Sequence, residues 1–161
     1  MKQIATLLLL AVLISACQSG SEADGNDRNQ TPKKANEFIK VEEGPVYTFT
    51  VVPDQYNSCR AVFAQSEDEL TSGNFIFATD LNKSCVLAID GRLIQVDIRS
   101  KQTSNPSAQI YKFEGNGYMI DLEIRQTEIV AHNLKKVRAQ LRIFSQSGFR
   151  EIFYIVGEID C

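Results

Sequence analysis

Two carboxylates, Asp121 and Glu123, stand two residues apart in the run Tyr118-Met119-Ile120-Asp121-Leu122-Glu123-Ile124, and in a strand that spacing puts both on one face. Two carboxylates on one face are what a glycosidase needs on either side of a scissile bond. Arg138, Gln140 and Arg142 line one face of a later run. If the two runs are neighbouring strands, cross-strand ion pairs on the solvent side account for both sets. His132 is the only histidine and lies in Ala131-His132-Asn133, which reads as a surface loop. One histidine without a nearby cysteine falls short of the three or four ligands of a usual zinc site. No G-x-S-x-G stretch supports a serine nucleophile. Glu67-Asp68-Glu69 lacks the spaced oxygen ligands of a calcium loop, and Gly115-Asn116-Gly117, with no helix after it, reads as a hairpin turn rather than a phosphate cradle. The sequence therefore points to no catalytic residue, no metal site and no cofactor, and the chain reads as a non-enzyme.

The elements that carry these residues are strands. Ile94, Val96 and Ile98 alternate with polar residues, as do Tyr118, Ile120, Leu122 and Ile124, and then Val137, Ala139, Leu141 and Ile143. Period-2 alternation marks a strand with one buried and one wet face. Turn chemistry falls between the runs, at Asp90-Gly91, Gly115-Asn116-Gly117 and Ser147-Gly148. Val46–Val52, Cys59–Ala64, Asn74–Ala78 and Ile152–Val156 add further β-rich runs, and Ser66-Glu67-Asp68-Glu69 fits the start of one short helix. Residues 128–137 also fit helical spacing, but the alternation that continues to Ile143 favours a loop into a strand. The expected fold is all-β: one antiparallel meander of about eight strands, closed as a barrel or folded as a sandwich. Ile152-Phe153-Tyr154-Ile155-Val156 is apolar on both faces. Another sheet, a barrel interior or a partner must cover one of them.

The N-terminus has a different character. Lys2 precedes an apolar run from Ile4 to Ile14, too short for the roughly 20 residues of a membrane span but the length of a secretory signal core. Ile14-Ser15-Ala16-Cys17 resembles the lipobox of bacterial lipoproteins. The resemblance implies a signal peptide over residues 1–16, diacylglyceryl transfer to Cys17, cleavage before it, and acylation of the new terminus. Three acyl chains hold a protein on a membrane far more firmly than one, at about 0.8 kcal/mol per buried CH₂. Gln18, where inner-membrane lipoproteins often carry Asp, implies the outer membrane of a Gram-negative cell, facing the periplasm. Gln18–Asn36 contains no aromatic residue and no Leu, Ile, Val or Met, so residues 17–36 read as a lipidated, disordered tether. Residues 37–161 form one β-rich globular domain.

Removing the leader takes away one cation, Lys2, and leaves the mature chain at net −4. Without clustered Lys and Arg it carries no nucleic-acid footprint. Cys59, Cys85 and Cys161 remain after lipidation of Cys17. An oxidising compartment favours one disulfide among them, with three pairings open. Cys59 opens an early strand and Cys161 ends the last, so a bond between them ties the two ends of the sheet together. Cys85, before the apolar Val86-Leu87-Ala88-Ile89, suits a buried thiol.

The segments Cys59-Arg60-Ala61-Val62-Phe63, Phe77-Ala78-Thr79-Asp80, Ile89-Asp90-Gly91 and the ending Gly157-Glu158-Ile159-Asp160-Cys161 resemble small uncharacterised bacterial lipoproteins with a GE-x-x-C ending. That likeness favours the Cys59–Cys161 pairing, with Cys59–Cys85 as the alternative, and carries no function with it. The functional expectation is a non-enzymatic binding module for an envelope or periplasmic protein, a cell-wall hydrolase to be inhibited being one candidate partner. The alternative is a small-molecule or lipid carrier that uses a barrel pocket.

Overall fold

The computed structural model describes residues 35–41, 44–105 and 108–161. Cys17, the expected signal peptide and the expected tether up to residue 34 lie outside them. Among the described residues ten strands and one α-helix follow in order: β1 (Ile39–Lys40), β2 (Val46–Thr48), β3 (Arg60–Ala64), α1 (Glu67–Ser72), β4 (Phe77–Thr79), β5 (Ser84–Ile89), β6 (Arg92–Asn105), β7 (Ala108–Gly115), β8 (Tyr118–Ile129), β9 (Leu134–Ser145) and β10 (Arg150–Asp160). From β3 onward each strand pairs antiparallel with the next, and β10 returns to pair with β3, from Val156↔Ala64 to Asp160↔Arg60. The meander is thus a closed eight-stranded antiparallel barrel, the first of the two arrangements the alternation allowed. The short pair β1–β2 stands outside the ring, with β2 against the end of β5 at Val46↔Ile89 and Tyr47↔Ala88.

The turns form where their residues permit. Asp90 and Gly91 both take positive φ (49° and 70°), as do Asn116 and Gly117 (51° and 79°). That backbone is the two-residue hairpin turn whose twist matches the flanking strands. The helix begins as its residues suggest: Ser66 Oγ accepts from the Glu69 N–H at 3.3 Å, and the Glu69 carboxylate accepts from the Gln65 N–H, one residue before the cap. Gly73, left-handed at φ 76°, ends it after six residues. Two strands are displaced from their expected bounds. The run from Val46 is regular only to Thr48, and Phe49 instead makes an isolated bridge to Phe75. The Asn74 run becomes strand only at Phe77, since the helix cap occupies its start. Asn36, placed at the end of the tether by composition, is tied to the domain: its Oδ1 accepts from the Val51 N–H at 2.6 Å.

Inward-facing side chains fill the barrel. Phe63, Phe77 and Phe113 stack edge to face at 5.8 and 5.7 Å between centroids, an arrangement that favours aromatic pairs beyond their buried area. Leu87, Ile120, Leu122, Leu141 and Ile143 close the remaining space, each fully buried. A second cluster lies on the outside of β3, β4 and β5, where Phe49, Tyr56 and Leu70 cover Val62, Ala64, Ala78, Val86 and Ala88. These three strands are therefore apolar on both faces, which explains why the β5 run is continuous rather than alternating.

Two features hold the seam between β10 and β3. Gly157 faces Phe63 across it; a Cβ there sits 2.7 Å from the Val62 carbonyl oxygen and closer still to the Phe63 ring. At the end of the seam Cys59 is bonded to Cys161, with Cα atoms 4.4 Å apart and a sequence separation of 102. Among the described residues Cys85 is the free thiol, fully buried in the core, and burial pushes its pKa well above the usual range. Thiolate, the reactive form, is correspondingly suppressed.

Two outcomes follow from the seam. Gly157→Ala overpacks it and lowers stability by about 1–3 kcal/mol, measurable as an earlier midpoint in urea unfolding. The double variant Cys59→Ser with Cys161→Ser loses roughly 4–5 kcal/mol, and adding reductant to the wild type gives the same shift but leaves the double variant unchanged.

Candidate interaction face

The outside of the barrel has two unlike halves. On β3 to β5 the chain covers its own apolar face, and the Tyr56 hydroxyl, within 3.1 Å of Ser84 Oγ, shows how closely. Burial raises the Tyr56 pKa there against the pull of that hydrogen bond. On β8 to β10 the cover reaches only the far end of β10, where α1 meets it, and the side chains nearer the β9–β10 turn stay in solvent. Tyr154 is 71% exposed, Ile152 54% and Met119 50%. Of the doubly apolar run on β10, Phe153 and Ile155 enter the barrel, Val156 packs against the covered cluster, and Ile152 and Tyr154 are left in solvent.

Strand register lays out this face as rows. One row runs Glu114, Met119, Phe144, Arg150 across β7 to β10; the next Lys112, Asp121, Arg142, Ile152; the third Ile110, Glu123, Gln140, Tyr154. Arg142 sits between both carboxylates, 4.0 Å from Asp121 and hydrogen-bonded to Glu123. Arg125, brought outward by a bulge after Ile124, reaches Glu123 at 3.2 Å and donates to Gln140 Oε1 at 2.8 Å, which also accepts from Arg142 Nε at 3.0 Å. The result is a guanidinium–carboxylate lattice on a sheet surface. Arg138, the third residue of the set read from sequence, lies one row further on, in register with Gln126 and Val156. Beside the lattice, sharing Asp121 with it, is a groove of about 620 Å³ lined by Met119, Phe144, Arg150, Arg99 and Lys112 among others. Arg150 rests over the Phe144 ring, 6.0 Å from its centroid, within cation–π reach.

The remaining sequence candidates are scattered. Glu67, Asp68 and Glu69 form the first turn of α1, where carboxylates suit the helix dipole. Asn116 turns the β7–β8 hairpin and donates through Nδ2 to the Gln95 carbonyl at 2.6 Å. His132 is exposed in the β8–β9 turn. It lies on the rim of an open cavity of about 950 Å³ at the disulfide end of the barrel, whose lining mixes Tyr111, Ile124 and Ile159 with Lys101, Lys135 and Asp80. Among the described residues no three His, Cys, Asp or Glu side chains are grouped to hold a metal. Met119, Phe144 and Arg150 escaped the sequence reading. The signal for Met119 was present: inward-facing Tyr118 and Ile120 leave a large apolar side chain pointing outward between them.

No protein family, curated protein or solved structure matches the chain.

Because the lattice sits at the surface, Glu123→Gln costs only about 0–1 kcal/mol. Chemical denaturation checks this: the shift stays within that range and shrinks further in molar salt, while the far-ultraviolet spectrum is unchanged.

Proposed function

We propose that this protein is a lipid-anchored envelope lipoprotein whose barrel is a binding module for another envelope protein. The outer face of β8 to β10 is the docking surface. The observation that carries the reading is the asymmetry of the barrel's outside: the chain buries its own apolar face over β3 to β5, yet leaves Met119, Ile152 and Tyr154 in water beside a groove. Exposed apolar patches rimmed by polar groups mark interaction sites. The packed interior favours this over a carrier that needs an empty lumen. The lipobox-like Ile14-Ser15-Ala16-Cys17 supports acylation at Cys17, and Gln18 supports the outer membrane, with the domain in the periplasm. A hydrolase is one class of partner consistent with an inert scaffold. Catalysis has no part in the proposal.

A second reading, a small-molecule or lipid carrier, draws on the cavity of about 950 Å³ at the disulfide end, which is open and part apolar.

Crosslinking in intact cells followed by affinity capture separates the two. The docking reading expects one stoichiometric envelope protein with wild type and its loss with Ile152→Asp plus Tyr154→Asp, the variant remaining folded. Co-purification of lipid alone, unaffected by that variant, overturns it in favour of the carrier. Labelled palmitate is expected on the wild type and absent from Cys17→Ser; an unmodified Cys17 in the wild type refutes the anchor.

A further inference from the structure

The docking face also carries a charge pattern that restricts what can sit on it. The three carboxylates in and beside the groove are each taken by an arginine: Glu114 by Arg99, Asp121 by Arg142, and Glu123 by Arg125 and Arg142. Two cations of the groove's lining are left over. Lys112 and Arg150 have no carboxylate of the described residues within 4.0 Å, and both line the groove beside half-exposed Met119 and the more buried Phe144. In a chain of net charge −3, this face thus runs against the sign of the whole molecule. Apolar surface between two unneutralised cations is complementary to an apolar side chain between two anions.

We propose that the groove seats an acidic segment of the partner protein, in extended conformation, with an apolar residue between two carboxylates. This rests on the docking reading above and names the chemistry of its partner. Strand spacing sets the length. Lys112 on β7 and Arg150 on β10 are three strands apart and one row offset, roughly 16 Å at about 4.8 Å between strands and 3.3 Å per residue along them. An extended segment covers that distance in four to five residues. With carboxylates four residues apart, the residue midway between them points the same way as they do. Its side chain then drops onto Met119 and Phe144, while the two anions reach Lys112 and Arg150. Charge-assisted hydrogen bonds to the two cations orient the segment, and the apolar residue supplies the burial.

The test uses the full domain with its disulfide intact and a short synthetic peptide containing Glu-Ser-Phe-Ser-Glu, titrated by NMR. Saturable amide shifts are expected at Met119, Phe144 and Arg150. Replacing both glutamates by lysine, or the phenylalanine by serine, weakens binding by roughly tenfold or more. So does Lys112→Glu with Arg150→Glu, or the gentler Lys112→Gln with Arg150→Gln, whereas Lys83→Glu, in the exposed β4–β5 turn, leaves it unchanged. Equal binding of the lysine peptide, shifts centred elsewhere, or no binding overturns the acidic-segment proposal. If the partner captured from cells is lost with the Ile152 and Tyr154 variant but kept with the Lys112 and Arg150 variant, the docking face stands and only the acidic chemistry falls. If both variants keep it, the two fall together.

Discussion

Closure of the sheet is the constraint on which the rest depends. A meander of eight strands has two free edges, each a row of unpaired N–H and C=O groups that invites pairing with other chains. Here β10 bends back to β3 and satisfies both edges over five residue pairs. Closure requires the two strands to approach where their side chains would otherwise collide, and Gly157 opposite Phe63 supplies the space. It also brings together two cysteines 102 residues apart in sequence. The bond restricts the unfolded chain at its longest internal loop, where the entropy removed is greatest. Interior packing then becomes possible, because inward residues from all eight strands face one axis.

A closed barrel has a full outer surface as well as a core, and this chain treats that surface unevenly. Over β3 to β5 it spends the N-terminal segment, the turn around Tyr56 and α1 on covering apolar side chains. Over β8 to β10 it relies on charge, with the arginine–carboxylate lattice making a wet surface of cross-strand pairs. Ile129 stands apart at the end of β8, but Met119, Ile152 and Tyr154 lie around the lattice, and this clustering distinguishes them from the ordinary apolar content of any protein surface.

Sequence and structure part company in instructive places. The alternation in the long strands was legible because each residue's side is set by the pleat, independent of what the strand pairs with. The hairpin at Asp90-Gly91 was legible for the same local reason: few residue pairs accept two successive positive φ angles. The short early strands were misjudged at their ends. Phe49 and Phe75 leave regular pairing to bridge each other, an exchange between segments 26 residues apart that no local pattern encodes. Asp121 and Glu123 looked like a possible reacting pair on one strand; that Arg142 stands between them is a property of register with β9.

By itself, the sequence determined the fold class, the turn positions, the helix start and the buried character of the Cys85 run, since each follows from interactions within a few residues. Tertiary structure alone decided for a barrel over a sandwich, joined Cys59 to Cys161, and left Ile152 and Tyr154 outside while Phe153 and Ile155 went in. The physical reason is common to all three. Closure, disulfide geometry and exposure depend on which distant strands become neighbours, and a run such as Ile152–Val156, apolar on both faces, carries no mark of which face the rest of the chain will cover.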